Sequence, residues 1–243
     1  MLARLKSNRV PIAAAVAGLL IGGGAVALAG GGKGAGASAG DERIAQLVKE
    51  TILENPEILP QAMERLEQKQ AGAAIDANRE EIETPFGSAW AGAEDGDVVL
   101  VEFFDYACGY CRASNPVIDR LLAEDRKLKV VWREWPVLGP DSLAAAEVSL
   151  AAAAQGKFRP FYQALFDQGR PQPGAVAAAR RQLGIGAGPS RAVLQAELEK
   201  NHRLATALRA TGTPAFVVGD QVLHGAHGYE DLKAAIEEAR ARS

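Results

Sequence analysis

Cys108 and Cys111 are the only thiols in a chain of 243 residues, and two residues separate them. A pair at this spacing can shuttle between dithiol and disulfide: one thiolate attacks, and its neighbour resolves the mixed disulfide. The pair follows the apolar run Val98-Val-Leu-Val-Glu-Phe-Phe104 and precedes a helical stretch to about Leu122. Cys108 therefore stands where a helix begins. Unpaired backbone N–H groups and the positive end of the helix favour its anion there. A free thiol has a pKa near 8.5, and helix-start cysteines of C-x-x-C motifs fall to about 3.5–7.5. Cys111, one turn in and less exposed, is the natural resolving thiol. Two other readings compete. A structural disulfide across two residues is a small, strained ring and a poor staple. A metal site would need His202, His224 or His227, and His224-x2-His227 misses the usual x3–x5 spacing. Outside redox chemistry the rival is a protein that sequesters a soft metal such as Cu(I) between its two thiolates.

The thiols need a frame. Asp95-Gly-Asp97 signals a turn, Val98–Phe104 reads as a buried strand, and Leu128–Glu134 reads as the next strand. That is a β-α-β unit with the cysteines at its first junction. From Ser142 to Ala210 the alanine runs favour helix, and Gly156, Pro171, Pro173, Gly184 and Gly188-Pro189 divide them into about four. Ala215–Val218 and Gln221–Leu223 form a hairpin about Gly219-Asp220. Tyr229–Arg242 closes the chain as an amphipathic helix. This order predicts an α/β thioredoxin fold over residues 85–243, with a helical insertion at about 139–210. Glu102, by alternation, lies on the opposite strand face from Val101 and Phe103. The apolar flanks argue that both faces are covered, and a solvated glutamate is the alternative.

Composition changes sharply along the chain. Residues 1–40 hold 10 of the 26 glycines and a charge of +4 with no acid, while the remainder carries 23 basic and 30 acidic side chains. With an overall charge of −3 and no long basic run, nucleic acid is excluded as a partner. A basic start at Arg4, Lys6 and Arg9, an uncharged stretch from Val10 to Gly32 and A-x-A sites near residue 37 have the layout of a secretory signal. The 23-residue uncharged stretch also has the length of an uncleaved membrane anchor. Either reading exports the rest to a compartment where disulfides persist. Residues 41–84 form a helical arm, broken at Asn55-Pro56, with Ile44, Leu47, Val48, Ile52 and Leu53 at helical spacing. Its narrow apolar face either packs on the main domain or meets copies of itself.

Cys108-Gly-Tyr-Cys111 after a strand, with Thr211-Gly-Thr-Pro214 before a hairpin, resembles the DsbA family of exported thiol–disulfide oxidoreductases. Phe103-Phe-Asp-Tyr-Ala-Cys-Gly-Tyr-Cys111 and the arm's Glu54-Asn-Pro-Glu57 look most similar to its oligomeric, ScsC-like branch. The resemblance covers about residues 41–240. It implies a cis Pro214 whose loop faces Cys108 and offers the Thr213 backbone to an extended substrate, with Gly109 and Tyr110 beside it. It also implies that Glu102 is buried under the cysteines and moves protons. Gly109-Tyr110 departs from the Pro-His of the most oxidising relatives, and Thr213 leans towards isomerases. The implied function is disulfide exchange on cysteine-containing exported proteins, in the periplasm, leaning to isomerase or reductase and without a cofactor. A membrane redox partner would reset the pair. A DsbB-like oxidant would make the protein a monomeric-type oxidase, and a DsbD- or ScsB-like reductant an isomerase or reductase. Homo-oligomerisation through residues 41–84 goes with the second.

Overall fold

The computed structural model describes residues 39–242. The signal or anchor expected over residues 1–40 lies, but for its last two residues, outside them. Among the described residues no helix is long and apolar enough to cross a membrane. The chain divides after Glu54 into two units. In the first, helix α1 (Ala39–Glu54) carries Ile44, Leu47, Val48 and Leu53, all exposed.

The second unit opens with α2 (Ile58–Glu83), whose Pro60 falls in the first turn, where its missing N–H costs no hydrogen bond. A mixed sheet follows, in the order β1-β3-β2-β4-β5. Its strands are β1 (Trp90–Gly92), β2 (Val98–Phe104), β3 (Leu128–Glu134), β4 (Ala215–Val218) and β5 (Gln221–His224). β2 and β3 are parallel, joined through α3 (Gly109–Glu124), and the remaining pairs are antiparallel. Between β3 and β4 lie α4 (Pro140–Ala153), α5 (Phe158–Asp167), α6 (Pro173–Gln182) and α7 (Arg191–Ala207), and α8 (Tyr229–Arg242) ends the fold. The strands and helices expected from the sequence are present. β1 was not expected: three residues are too few to display alternation.

Alternation along the central strands sorts two cores. Leu100 and Phe104 of β2 and Val130 and Trp132 of β3 face α3, α5 and α8. Val101, Phe103 and Val131 face the other way, against Ile75 and Ile82 of α2 and Leu204 and Ala205 of α7. The sequence reading ran the arm to residue 84. The second half of α2 in fact belongs to this core, since Ile75 and Ile82 are fully buried, each stabilising the contact by roughly 1.5–3 kcal/mol. The buried Arg133 adds to the hold. Its guanidinium donates to the carbonyls of Glu81, Ile82 and Thr84 and, across the gap, to Glu197 and Asn201 of α7. The last carbonyls of α2 are thereby satisfied away from water. In the first half of α2, Leu59, Met63 and Leu66 remain exposed.

Candidate active site

Cys108 caps α3: its Sγ accepts the N–H of Cys111 at 3.3 Å. Its thiol also donates to the carbonyl of Thr213, 3.2 Å away across the sheet end. The Thr213–Pro214 peptide is cis. Hydrogen bonds that the sulfur accepts hold the Cys108 thiol down, from an ordinary 9.0 to about 5. The hydrogen bond from the Cys111 thiol contributes most, followed by the Thr213 side chain and the backbone N–H groups of Cys111 and Tyr110, while partial burial opposes them. Cys111 is fully buried, and burial first, then its bond to Cys108, pushes its thiol far above the usual range. The two thiols are thus opposite in character. Cys108 was expected to be exposed, yet only 5% of it is open to solvent, because the Thr213 loop lies over it. Tyr110 beside it is 70% exposed, and the space where a Gly109 side chain would stand is open.

Glu102 lies on the sheet face with Leu100 and Phe104, as its alternation predicts, and is fully buried. Burial pushes its carboxyl up to about 8. Tyr162 and the Trp132 indole pull it back, the nearby Cys108 charge raises it, and Arg159 lowers it. Tyr162 Oη is 3.3 Å from Glu102 Oε2 and donates to Asn115 Oδ1 at 2.6 Å. Oε1 of Glu102 and the indole N–H of its strand partner Trp132 are both buried without hydrogen-bond geometry to any partner. Thr213 Oγ1 is buried and unpartnered as well.

The sequence reading gave no role to several residues of the site. Asp105 is 1% exposed and gathers three backbone N–H groups, from Ala107 on Oδ1 and from Val137 and Leu138 on Oδ2. It ties the turn before Cys108 to the loop after β3. An aspartate two residues before its own N–H donor is the readable half of that signal. Tyr162 sits in the apolar stripe Phe158, Phe161, Tyr162, Leu165, Phe166 of α5, where its hydroxyl gives no separate mark. Tyr106, paired with Ser149 at 2.8 Å, and Glu134, pushed up by burial, complete a polar layer in this core. The histidines lie elsewhere: His202 Nδ1 accepts the Trp135 indole N–H, His224 ends β5, and His227 stands near Asp231. Among the described residues no group of three or more His, Cys, Asp or Glu side chains could hold a metal ion.

Known proteins share this fold. Residues 42–73 match the "Copper resistance protein ScsC N-terminal domain". A linker-deletion mutant of ScsC from Proteus mirabilis superposes with a TM-score of 0.71 and 26% identity, covering 87% of this chain and 100% of that one. A thioredoxin-like oxidoreductase from Silicibacter pomeroyi DSS-3 gives a TM-score of 0.61 and 34% identity, over 68% of this chain and 99% of that one. A curated protein of Salinispora arenicola named Na(+)/H(+) antiporter NhaA 1 is 30% identical over 159 residues, 62% of this chain. The chain spans about a quarter of the length of that relative. The family of DSBA-like thioredoxin domains matches residues 99–237, more than half of the sequence and the part that holds the cysteine pair and the sheet apart from β1; the chain belongs to it.

Proposed function

We propose that this chain is a thiol–disulfide oxidoreductase that acts on cysteines of exported proteins through Cys108 and Cys111. One observation carries the reading: the Cys108 sulfur sits between the Cys111 N–H and the cis Thr213–Pro214 loop, with the buried Cys111 one turn behind it. The Cys108 thiolate attacks a substrate disulfide, and the electron pair of the broken S–S bond leaves on the second substrate sulfur. In resolution Cys111 gives its proton to Glu102, its sulfur bonds to that of Cys108, and the substrate leaves as a thiolate. Thr213, Gly109 and Tyr110 are the positions at which an extended substrate would lie, pairing with the Thr213 backbone.

The direction proposed is isomerisation or reduction. Gly109-Tyr110 places no histidine beside Cys108, and α1 exposes apolar side chains suited to self-association, as does the first half of α2 by itself. The site of action proposed is the periplasm, reached through residues 1–40, with a membrane reductant resetting the pair. The deciding experiment traps thiols in living cells and follows refolding of a scrambled disulfide substrate by the pure protein. A pair found reduced in cells, with turnover of the scrambled substrate, supports the reading. A pair found oxidised turns it into a DsbA-like oxidase. Stoichiometric Cu(I) retention without turnover replaces it by metal capture.

A further inference from the structure

The hydroxyl of Tyr162 has one hydrogen and two oxygen neighbours that compete for it, Glu102 Oε2 at 3.3 Å and Asn115 Oδ1 at 2.6 Å. The shorter contact is where the hydrogen lies. The longer one is then satisfied only if Glu102 is protonated and donates to the Tyr162 oxygen. When Glu102 loses its proton, the hydrogen of Tyr162 must turn to the carboxylate. The Tyr162 oxygen is then free to accept, and Asn115 can supply a donor by turning its carboxamide over. A carboxamide is the side chain that can serve both arrangements, since aspartate accepts only and leucine does neither. Asn115 sits four residues after Cys111 on α3 and is half-buried, so this chain runs from the deepest carboxyl of the site towards the surface. Among the described residues Tyr162 makes the one side-chain hydrogen bond to Glu102, whose Oε1 has none.

We propose that Tyr162 and Asn115 form a two-position hydrogen-bond switch that keeps Glu102 bonded in both protonation states, and so sets the pH at which Glu102 can take the Cys111 proton. The two are positioning residues, since neither touches the sulfurs. This rests on the reading of Cys108 and Cys111 as an exchanging pair. The other groups that act on Glu102 are Cys108 and Cys111 on α3, Arg159 on α5, Trp132 on β3, and Tyr106 and Glu134 within the same polar layer. Arg159 is itself held by Asp119 at 2.6 Å and stacks over Trp132. None of them is substituted in the Tyr162→Phe and Asn115→Leu proteins, so each acts alike in variant and parent.

The test is the infrared titration of the Glu102 carboxyl, assigned by its loss in Glu102→Gln, in the parent, Tyr162→Phe and Asn115→Leu proteins. Each is first shown by circular dichroism to be folded. Resolution of a glutathione mixed disulfide on Cys108 is followed over the same pH range. Tyr162→Phe should shift the carboxyl midpoint upward by about one unit and slow resolution at neutral pH about tenfold, the loss of ionised Glu102 that such a shift implies. Asn115→Leu should shift both in the same direction by less, and its carboxyl stretch should report the changed bond to Tyr162. In a Glu102→Gln background Tyr162→Phe should slow resolution no further. A folded Tyr162→Phe protein with the parent midpoint overturns the proposal, as does a shift for Tyr162→Phe with none for Asn115→Leu. If the parent dithiol exchanges with no disulfide at all, the oxidoreductase reading fails, and the infrared midpoints still decide on the switch.

Discussion

The Sγ of Cys108 lies 3.2 Å from the main-chain carbonyl oxygen of Thr213, 105 residues away in sequence. One bond therefore joins the first turn of α3 to the loop that leads into β4. The attacking sulfur and the proposed substrate platform are parts of one contact, so a change in either is felt by the other.

Removing Cys111 should raise the Cys108 pKa. The bond from the Cys111 thiol is the largest cause holding Cys108 near 5. A hydrogen bond to a charged group contributes about 1.5–3 kcal/mol, so Cys111→Ala should move the thiol up by about one to two units. Thiolate ultraviolet absorbance against pH measures it. A midpoint still at about 5 would mean that the helix start alone sets the acidity.

Thr213→Val should act on chemistry more than on fold. Oγ1 is buried and makes no hydrogen bond of normal geometry, its pull on the Cys108 sulfur being a weak one, so its loss leaves stability unchanged or slightly improved. The Thr213 side chain also helps to lower the Cys108 thiol, so that pKa should rise. Urea unfolding and the pH dependence of alkylation, measured side by side, separate the two effects.

Stability should depend on pH with opposite signs for two groups. Glu102 is raised from 4.5 to about 8, so the folded state keeps a proton that the unfolded chain has released. Stability then falls as pH rises between those values, by as much as on the order of 5 kcal/mol. Cys108 is lowered from 9.0 to about 5, which adds stability as pH rises through that range and loses it on acidification. Unfolding of the disulfide form removes the Cys108 contribution and leaves Glu102 beside the likewise raised Glu134, so Glu102→Gln should reduce its slope. The dithiol form should gain on the disulfide form as pH climbs from 5 to 9. An unchanged slope in Glu102→Gln would refute the burial argument.

Asp105→Ala should destabilise the fold by about 3 kcal/mol, since three backbone N–H groups lose a charged acceptor together. Denaturant midpoints check this. Faster amide exchange at Val137 and Leu138 would locate the damage in the loop after β3.

The proposed self-association is tested by shortening the arm. Deletion through residue 84 would strip Ile75 and Ile82 from the core and take from Arg133 the carbonyls of Glu81, Ile82 and Thr84. Deletion of residues 41–66 takes the exposed stripe and spares them. The shortened protein should be a monomer by light scattering that keeps simple dithiol oxidation and loses isomerisation of scrambled substrate. A full-length chain that is already monomeric would remove the basis for the isomerase direction.

What could be read from the sequence follows from the range of the forces involved. β3 and α8 were legible to the residue, because hydrophobic period and turn chemistry are local. Alternation along β2 also fixed the face of Glu102. The partner of the α2 stripe was not legible, since periodicity shows that a face is apolar and not what covers it. Burial of Cys108 depends on a loop about a hundred residues further on. Tyr162 reads as one more aromatic on a helix until its hydroxyl is seen between Glu102 and Asn115.

Arg133 behaves as a rivet at the root of a lever. Its guanidinium clamps the end of α2 to α7, and Asn201 in turn grips the Glu134 carbonyl, three residues before the loop that Asp105 holds beside Cys108. The end of α2, α7 and the end of β3 thus share one buried set of polar contacts. Loosening Arg133 would therefore be felt both at the end of α2 and at the strand end that leads to the Cys108 side of the sheet.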